Sequence, residues 1–141
     1  MSDASDPFAA GMAVRREVLG GAHVDRAEAS KTPFDTNFQR FITETAWGKV
    51  WARDDLSRRE RSMITLAILA TLGQWEEFAM HVRAARNTGT SADDIAGLLM
   101  HVAVYAGVPA GNHAFKIAKA AIAEADRAAA AGTNGEGGMT S

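Results

Sequence analysis

Cysteine is absent from the 141 residues. That excludes disulfides, thiolate metal sites and any thiol-based peroxidase or redox relay. Proline occurs only 3 times, and no stretch alternates apolar and polar residues long enough to suggest a sheet, so the chain reads as all-α. No apolar run approaches the ~20 residues needed to cross a bilayer. The opening residues (Met1, Ser2, Asp3, Ala4, Ser5, Asp6, Pro7) lack the basic and then apolar segments of a secretory signal. A cytoplasmic protein is the expectation. Runs of Lys and Arg are also missing, and the formal net charge is −2. Neither nucleic acid nor an anionic membrane is therefore an expected partner.

What is present suits a soluble globular protein, with 47% hydrophobic and 23% charged residues. The length allows one modest core. We expect a single helical domain over residues 1–127, compact and built from about six helices, and a disordered tail over residues 128–141, whose Ala, Gly, Thr and Ser have nothing to bury. Residues 8–19 form a first helix stopped by Gly20 and Gly21, and a short one follows over 24–29. Pro33 suits the first turn of a helix to Trp47, ended by Gly48.

Ser57 and Glu60 have the spacing of a capping box. The helix that they open, to about Leu72, is apolar on most sides and is expected to be central and buried. Gly73 ends it. A helix carrying Glu77 and His81 stops at Gly89. Ser91 or Thr90 then caps a helix whose inward row is Ile95, Leu98, Leu99, Val102 and Ala106. Pro109 opens a last helix to about Arg127, with Phe115, Ala118 and Ile122 facing in. Short loops make these helices antiparallel neighbours.

The segment 73–81 carries the most chemistry. Glu77 and His81 lie one turn apart on a helix. At about 100° per residue His81 shares a side with Phe78 and Ala85, Glu77 lies on its rim, and Glu76, Arg83 and Arg86 point to solvent or a subunit. A titratable ring aimed at an apolar face needs a partner. The pair reads either as a proton-handling centre or as a core histidine satisfied by a carboxylate. It supplies at most two metal ligands, and no other His or carboxylate has a telling spacing, so no metal is expected.

Several stretches resemble the carboxymuconolactone decarboxylase family. They are Arg15-Arg16-Glu17-Val18-Leu19-Gly20 with His23-Val24-Asp25-Arg26-Ala27, Phe38-Gln39-Arg40-Phe41-Ile42-Thr43-Glu44 with Ala46-Trp47-Gly48, and Val50-Trp51-Ala52-Arg53. Arg59-Glu60-Arg61-Ser62-Met63-Ile64-Thr65-Leu66, His81-Val82-Arg83-Ala84-Ala85 and Val102-Ala103-Val104-Tyr105-Ala106-Gly107-Val108-Pro109-Ala110-Gly111-Asn112 continue the match. It covers roughly residues 12–125. In the wider alkylhydroperoxidase D-like superfamily a Cys-x-x-Cys pair precedes a histidine. Here Gln74 and Glu77 fall on the cysteine positions, His81 keeps the histidine position, and the upstream glutamate of the relay falls on Ser62.

The resemblance implies an all-α domain that assembles into homo-oligomers, commonly hexamers. It also implies a small-molecule substrate, γ-carboxymuconolactone, a lactone dicarboxylate met in protocatechuate breakdown. The ring carbonyl of such a substrate is its own electron sink, so no cofactor is expected. The protein must hold the retained carboxylate, stabilise an oxyanion and deliver a proton to carbon. On that basis His81 is the candidate proton or oxyanion donor, with Glu77 orienting it and favouring its charged form. Arg59 and Arg61, at a helix start that also attracts anions, are candidate substrate binders or else ion-pair formers. Arg15, with Arg16, lies in a matching motif and is a candidate group for a neighbouring subunit's pocket. His23, Tyr105 and Asn112 are candidate pocket groups that packing or capping explains nearly as well. His101 and His113 fall off the inward rows and are expected at the surface or an interface.

Three other readings fit less well. One keeps the fold with another lactone or enolisable acid as substrate, and another is a non-catalytic helical scaffold or binding protein. A DNA-reading helix pair over residues 90–115 is disfavoured, because its second helix offers only Lys116 and Lys119 to phosphates.

Overall fold

The computed structural model describes residues 6–137. Among them are seven α-helices and no strand: α1 (Pro7–Leu19), α2 (Gly21–Ala29), α3 (Thr36–Ile42), α4 (Arg58–Leu72), α5 (Trp75–Ala84), α6 (Ala92–Ala106) and α7 (Val108–Gly137). A π-helical segment, Thr43–Trp51, continues α3, and a 3₁₀ turn, Ala85–Thr88, continues α5. Contacts gather into two units. One holds the chain up to Arg61 together with Asn87–Gly89; the other holds Ser62–Arg86 and the chain from Thr90 onward.

In the first unit, the Asp6 carboxylate accepts the Phe8 N–H at 3.0 Å and Pro7 occupies the first turn, which starts α1 where expected. The chain leaves α1 at Gly20, whose φ of +92° suits glycine. Helix α3 begins at Thr36 rather than at Pro33, after a turn in which the Asp35 carboxylate accepts the Thr32 N–H at 2.8 Å. Gly48 does not end a helix, contrary to expectation. It sits within the π segment because α1 presses on it there. A β-carbon on Gly48 would overlap the Pro7 carbonyl oxygen, and one on Gly11 would overlap the Thr43 carbonyl oxygen. Val14, Val18, Trp47 and Trp51 fill this small core, with the two indoles 5.1 Å apart between centroids.

Helix α4 opens on the expected capping box. The Glu60 N–H donates to Ser57 Oγ at 3.0 Å, and the Ser57 N–H donates to the Glu60 carboxylate at 2.9 Å. The backbone N–H holds that carboxyl below its ordinary range. The helix is not buried all round. Ser62, Leu66 and Ala70 are buried, whereas Ile64, Ile68 and Leu72 are exposed by 46%, 52% and 66%. One face finds partners within the chain, and the row at i, i+4 and i+8 finds none.

In the second unit, Leu66, Phe78 and Leu99 are fully buried, and Val82, Ile95 and Val102 complete their cluster. Ser91, not Thr90, caps α6, with Asp94 returning the bond. On α7, Ala118 is buried and Ile122 packs against the cluster, as expected, but Phe115 does not face in. Ala114, Ala118 and Ala121 face in, while Phe115 is 39% exposed. A β-carbon on Gly111 would lie 2.6 Å from that of Ala103, so α6 and α7 approach too closely for bulky residues. Arg83 and Arg86 are not simply solvated, because they pair with Glu124 (3.4 Å) and Asp126 (2.9 Å) on α7. Helix α7 runs to Gly137, past the expected end near Arg127. Residues 138–141 of the expected tail lie outside the described range.

Candidate active site

Gln74 stands at the N-terminus of α5, and the helix packs through Phe78, Val82 and Ala84. That packing sets the azimuth of the ring one turn after Glu77. His81 is half-buried, less so than Phe78 and Ala85, whose side the helical spacing assigned it. Glu77 is exposed. Among the described residues Glu77 makes no hydrogen bond or ion pair with His81. The two side chains therefore flank one strip of helix surface without closing on each other. Ser62, at the position of the superfamily's relay glutamate, is buried.

The other candidate residues in this unit lie on α6 and α7. Tyr105 is 79% exposed. Its ring stacks on that of His101 at 4.7 Å. Asn112, on the first turns of α7, lines a groove of about 620 Å³ between α6 and α7. Neither Glu77, His81 nor Tyr105 lines that groove. His101 and His113 are both exposed, as expected, and His113 stacks on Trp75 at 4.5 Å.

The remaining candidates lie in the first unit. Arg15 is buried, with 7% of its side chain exposed, and its guanidinium donates to Glu28 at 3.1 Å. Lys31 donates to the same carboxylate at 2.6 Å. The Lys31 hydrogen bond, helped by Arg15, holds Glu28 below the usual carboxylate range. Arg61 is also buried and donates to Asp55 at 2.5 Å. The Asp55 carboxyl lies below its ordinary range chiefly because of its hydrogen bond to Arg53. Arg59 is exposed and His23 is half-buried beside the fully buried Val24. Arg58 pairs with Glu17 at 2.8 Å, so the arginines of this helix start are largely engaged in ion pairs.

No group of three or more His, Cys, Asp or Glu among the described residues could hold a metal ion. Among them, too, no helix is long and apolar enough to cross a membrane. Comparison with known proteins gives this arrangement a family. The model of the carboxymuconolactone decarboxylase family matches residues 36–120. A 4-carboxymuconolactone decarboxylase of Acinetobacter baylyi is 44% identical over 109 residues, covering 77% of this chain and 81% of the relative.

The chain belongs to the carboxymuconolactone decarboxylase family.

A nitrosuccinic acid decarboxylase of Metarhizium robertsii is 41% identical over 102 residues, covering 72% of this chain and 71% of the relative. A 4-carboxymuconolactone decarboxylase of Pseudomonas putida is 48% identical over 46 residues, 33% of this chain and 96% of that sequence. The span matched by the carboxymuconolactone decarboxylase family takes in Arg59, Arg61, Glu77, His81, Tyr105 and Asn112, and it leaves Arg15 and His23 outside. Lys116 and Lys119, which the sequence offered only as phosphate contacts, line the same groove as Asn112. Their spacing from Asn112, at i+4 and i+7, already placed all three on one helical row.

Proposed function

We propose that this decarboxylase acts on γ-carboxymuconolactone and releases CO₂ to give the 3-oxoadipate enol-lactone, in the cytoplasm and without a cofactor. The observation that carries this reading is the 44% identity, over most of both chains, with a relative of that name.

The chemistry follows from the substrate. The departing carboxylate is attached to the γ carbon, conjugated through the ring double bond to the lactone carbonyl. The bond between the γ carbon and CO₂ breaks, and its electron pair spreads into a dienolate with much of its charge on the carbonyl oxygen. A proton then adds at the α carbon. An imidazolium suits both remaining tasks, donating to the oxyanion and delivering the proton. His81 is assigned that role and Glu77 the orientation of its ring. A guanidinium such as that of Arg59, Arg61 or Arg15 would hold the retained carboxylate, with His23 and Tyr105 as further candidate substrate groups. Asn112 lines the α6–α7 groove, which His81 does not.

A homo-oligomer, the hexamer that the family resemblance implies, accompanies this reading. The exposed row Ile64, Ile68 and Leu72, and a second patch of Met100, Val104 and Val108, support it.

The relative named for nitrosuccinic acid favours a second reading. In that substrate a nitro group would take the electron pair left by the departing carboxylate, and a second carboxylate would stay behind. Both substrates thus carry their own electron sink and a retained anion.

The test is CO₂ release from freshly prepared γ-carboxymuconolactone and from nitrosuccinate by wild-type protein and His81→Ala, with no metal or cofactor added. Fast release from the lactone, lost about 100-fold or more in a folded His81→Ala protein, is the expected result. A mutant that keeps its rate would remove His81 from the mechanism. Preference for nitrosuccinate would move the chain to the second substrate.

A further inference from the structure

The groove between α6 and α7 lies wholly within the second unit and has the volume of a ligand pocket, about 620 Å³. Its floor is aliphatic, from Ile95, Leu99 and Ile122, and Phe115 adds a partly exposed aromatic ring. The polar groups are confined to one wall. Asn112, Lys116 and Lys119 follow one another at i, i+4 and i+7 along α7.

The lysines of this wall form no ion pair within the groove. No Asp or Glu lines the groove. Among the described residues neither Lys116 nor Lys119 has an ion-pair partner, whereas Arg83 and Arg86 on the neighbouring helix are paired. In a chain of net charge −2 this is a local positive site above an apolar trough.

The ends of the groove also differ. Ala92 and Ile122 stand equally far from the Gly107 turn on either side, and Gly111 packs on Ala103 nearer the turn. The acidic start of α6, Asp93 and Asp94, therefore marks the end remote from the turn. Asn112 and Lys116 mark the near end. An anion would sit at the near end, with its apolar body extending along Ile95 and Ile122.

We propose that this groove is a second binding site, separate from His81, for a flat aromatic carboxylate. Its carboxylate would sit at the near end on Lys116 and the Asn112 amide, with Phe115 beside it, and its ring would extend along the aliphatic floor of Ile95 and Ile122 beneath Lys119. The three groups on the wall all donate hydrogen bonds, and a carboxylate only accepts them. The point charges of the lysines, with no arginine fork or free helix start beside them, match a single carboxylate better than a phosphate.

The test uses the full chain and 2-naphthoate as probe, followed by titration calorimetry. Saturable binding with a Kd on the order of 100 µM is expected for a ligand of this size. The uncharged 2-naphthalenemethanol should bind about tenfold more weakly. The double change Lys116→Gln and Lys119→Gln should weaken naphthoate by a similar factor, and Ala96→Trp, on the half-exposed groove wall, should abolish binding. His81→Ala should leave it unchanged. Absence of saturable binding by the wild type would overturn the proposal, whether a second copy closes the groove or nothing binds there. So would a naphthoate affinity that disappears with His81 and ignores the lysines, because the probe would then occupy the decarboxylase site. Since naphthoate binding is read without turnover, this result and the decarboxylation assay fail independently.

Discussion

Arg15 and Glu28 form an ion pair at 3.1 Å, across which a nearly buried guanidinium is held by a carboxylate that also accepts Lys31. The Glu28 carboxyl titrates below its ordinary value of 4.5 in the folded chain, first because of Lys31 and then of Arg15. A depressed folded value means that the pair stabilises the fold fully above about pH 4.5, and that this contribution fades as pH falls through the folded value. Glu28→Gln leaves a buried cation without its partner. We expect a loss of about 1–3 kcal/mol at pH 7, and a shallower decline of stability in acid. Denaturant melts of both proteins from pH 3 to 7 measure each effect; parallel declines would mean that Glu28 is not the titrating group.

Glu77 is exposed and, among the described residues, makes no hydrogen bond or ion pair, so its replacement should be nearly silent for stability. Glu77→Gln should keep the midpoint of unfolding within about 0.5 kcal/mol of wild type. Its kcat for decarboxylation should fall about tenfold or more, as for loss of a residue that orients a general acid. Unchanged kcat would return Glu77 to the solvated face of α5.

Gly11 and Gly48 are sites where backbone meets backbone. An added methyl at either meets a carbonyl oxygen, which cannot rotate aside as a side chain would. Gly11→Ala and Gly48→Ala should each cost about 1–3 kcal/mol or more, despite the higher helix propensity of alanine. A chemical denaturation midpoint equal to wild type would show that α1 and the π segment can part without cost.

Ile68 lies at the middle of the exposed row on α4, with 52% of its surface open. In a homo-oligomer that covers this row, Ile68→Glu would bury an unpaired charge. Light scattering should then report a smaller assembly than wild type, with helical content kept. An assembly of unchanged mass would place the interface elsewhere, the patch around Val104 being the next to test.

Local rules carried most of the fold. The Ser57 and Ser91 caps and the stop at Gly73 are short-range chemistry, and each appears where the residues demand. Gly48 was misread because a glycine that breaks a helix and one that admits a neighbouring helix look alike in one dimension. The buried row of α7 was partly displaced for a related reason. Bulky Phe115 announces burial, yet closest approach selects Ala114 and Ala121 beside the expected Ala118. Helix α4 has apolar residues on faces that a single chain leaves bare. The Glu77 and His81 spacing was legible, whereas the ring is only half-buried rather than in the core. Arg15's engagement was not, because Glu28 stands 13 residues away on another helix.

The alanine seam of α7 separates two kinds of evolutionary freedom. Its inner face tolerates almost no increase in volume, since Gly111 and the three alanines already touch their neighbours. The adjoining row of Asn112, Lys116 and Lys119 is exposed. Mutation can therefore rewrite the ligand preference of the groove while the helix beneath it stays in place. A single 30-residue helix thus combines an inflexible face with a freely variable one, and divergence among such chains would concentrate on the second.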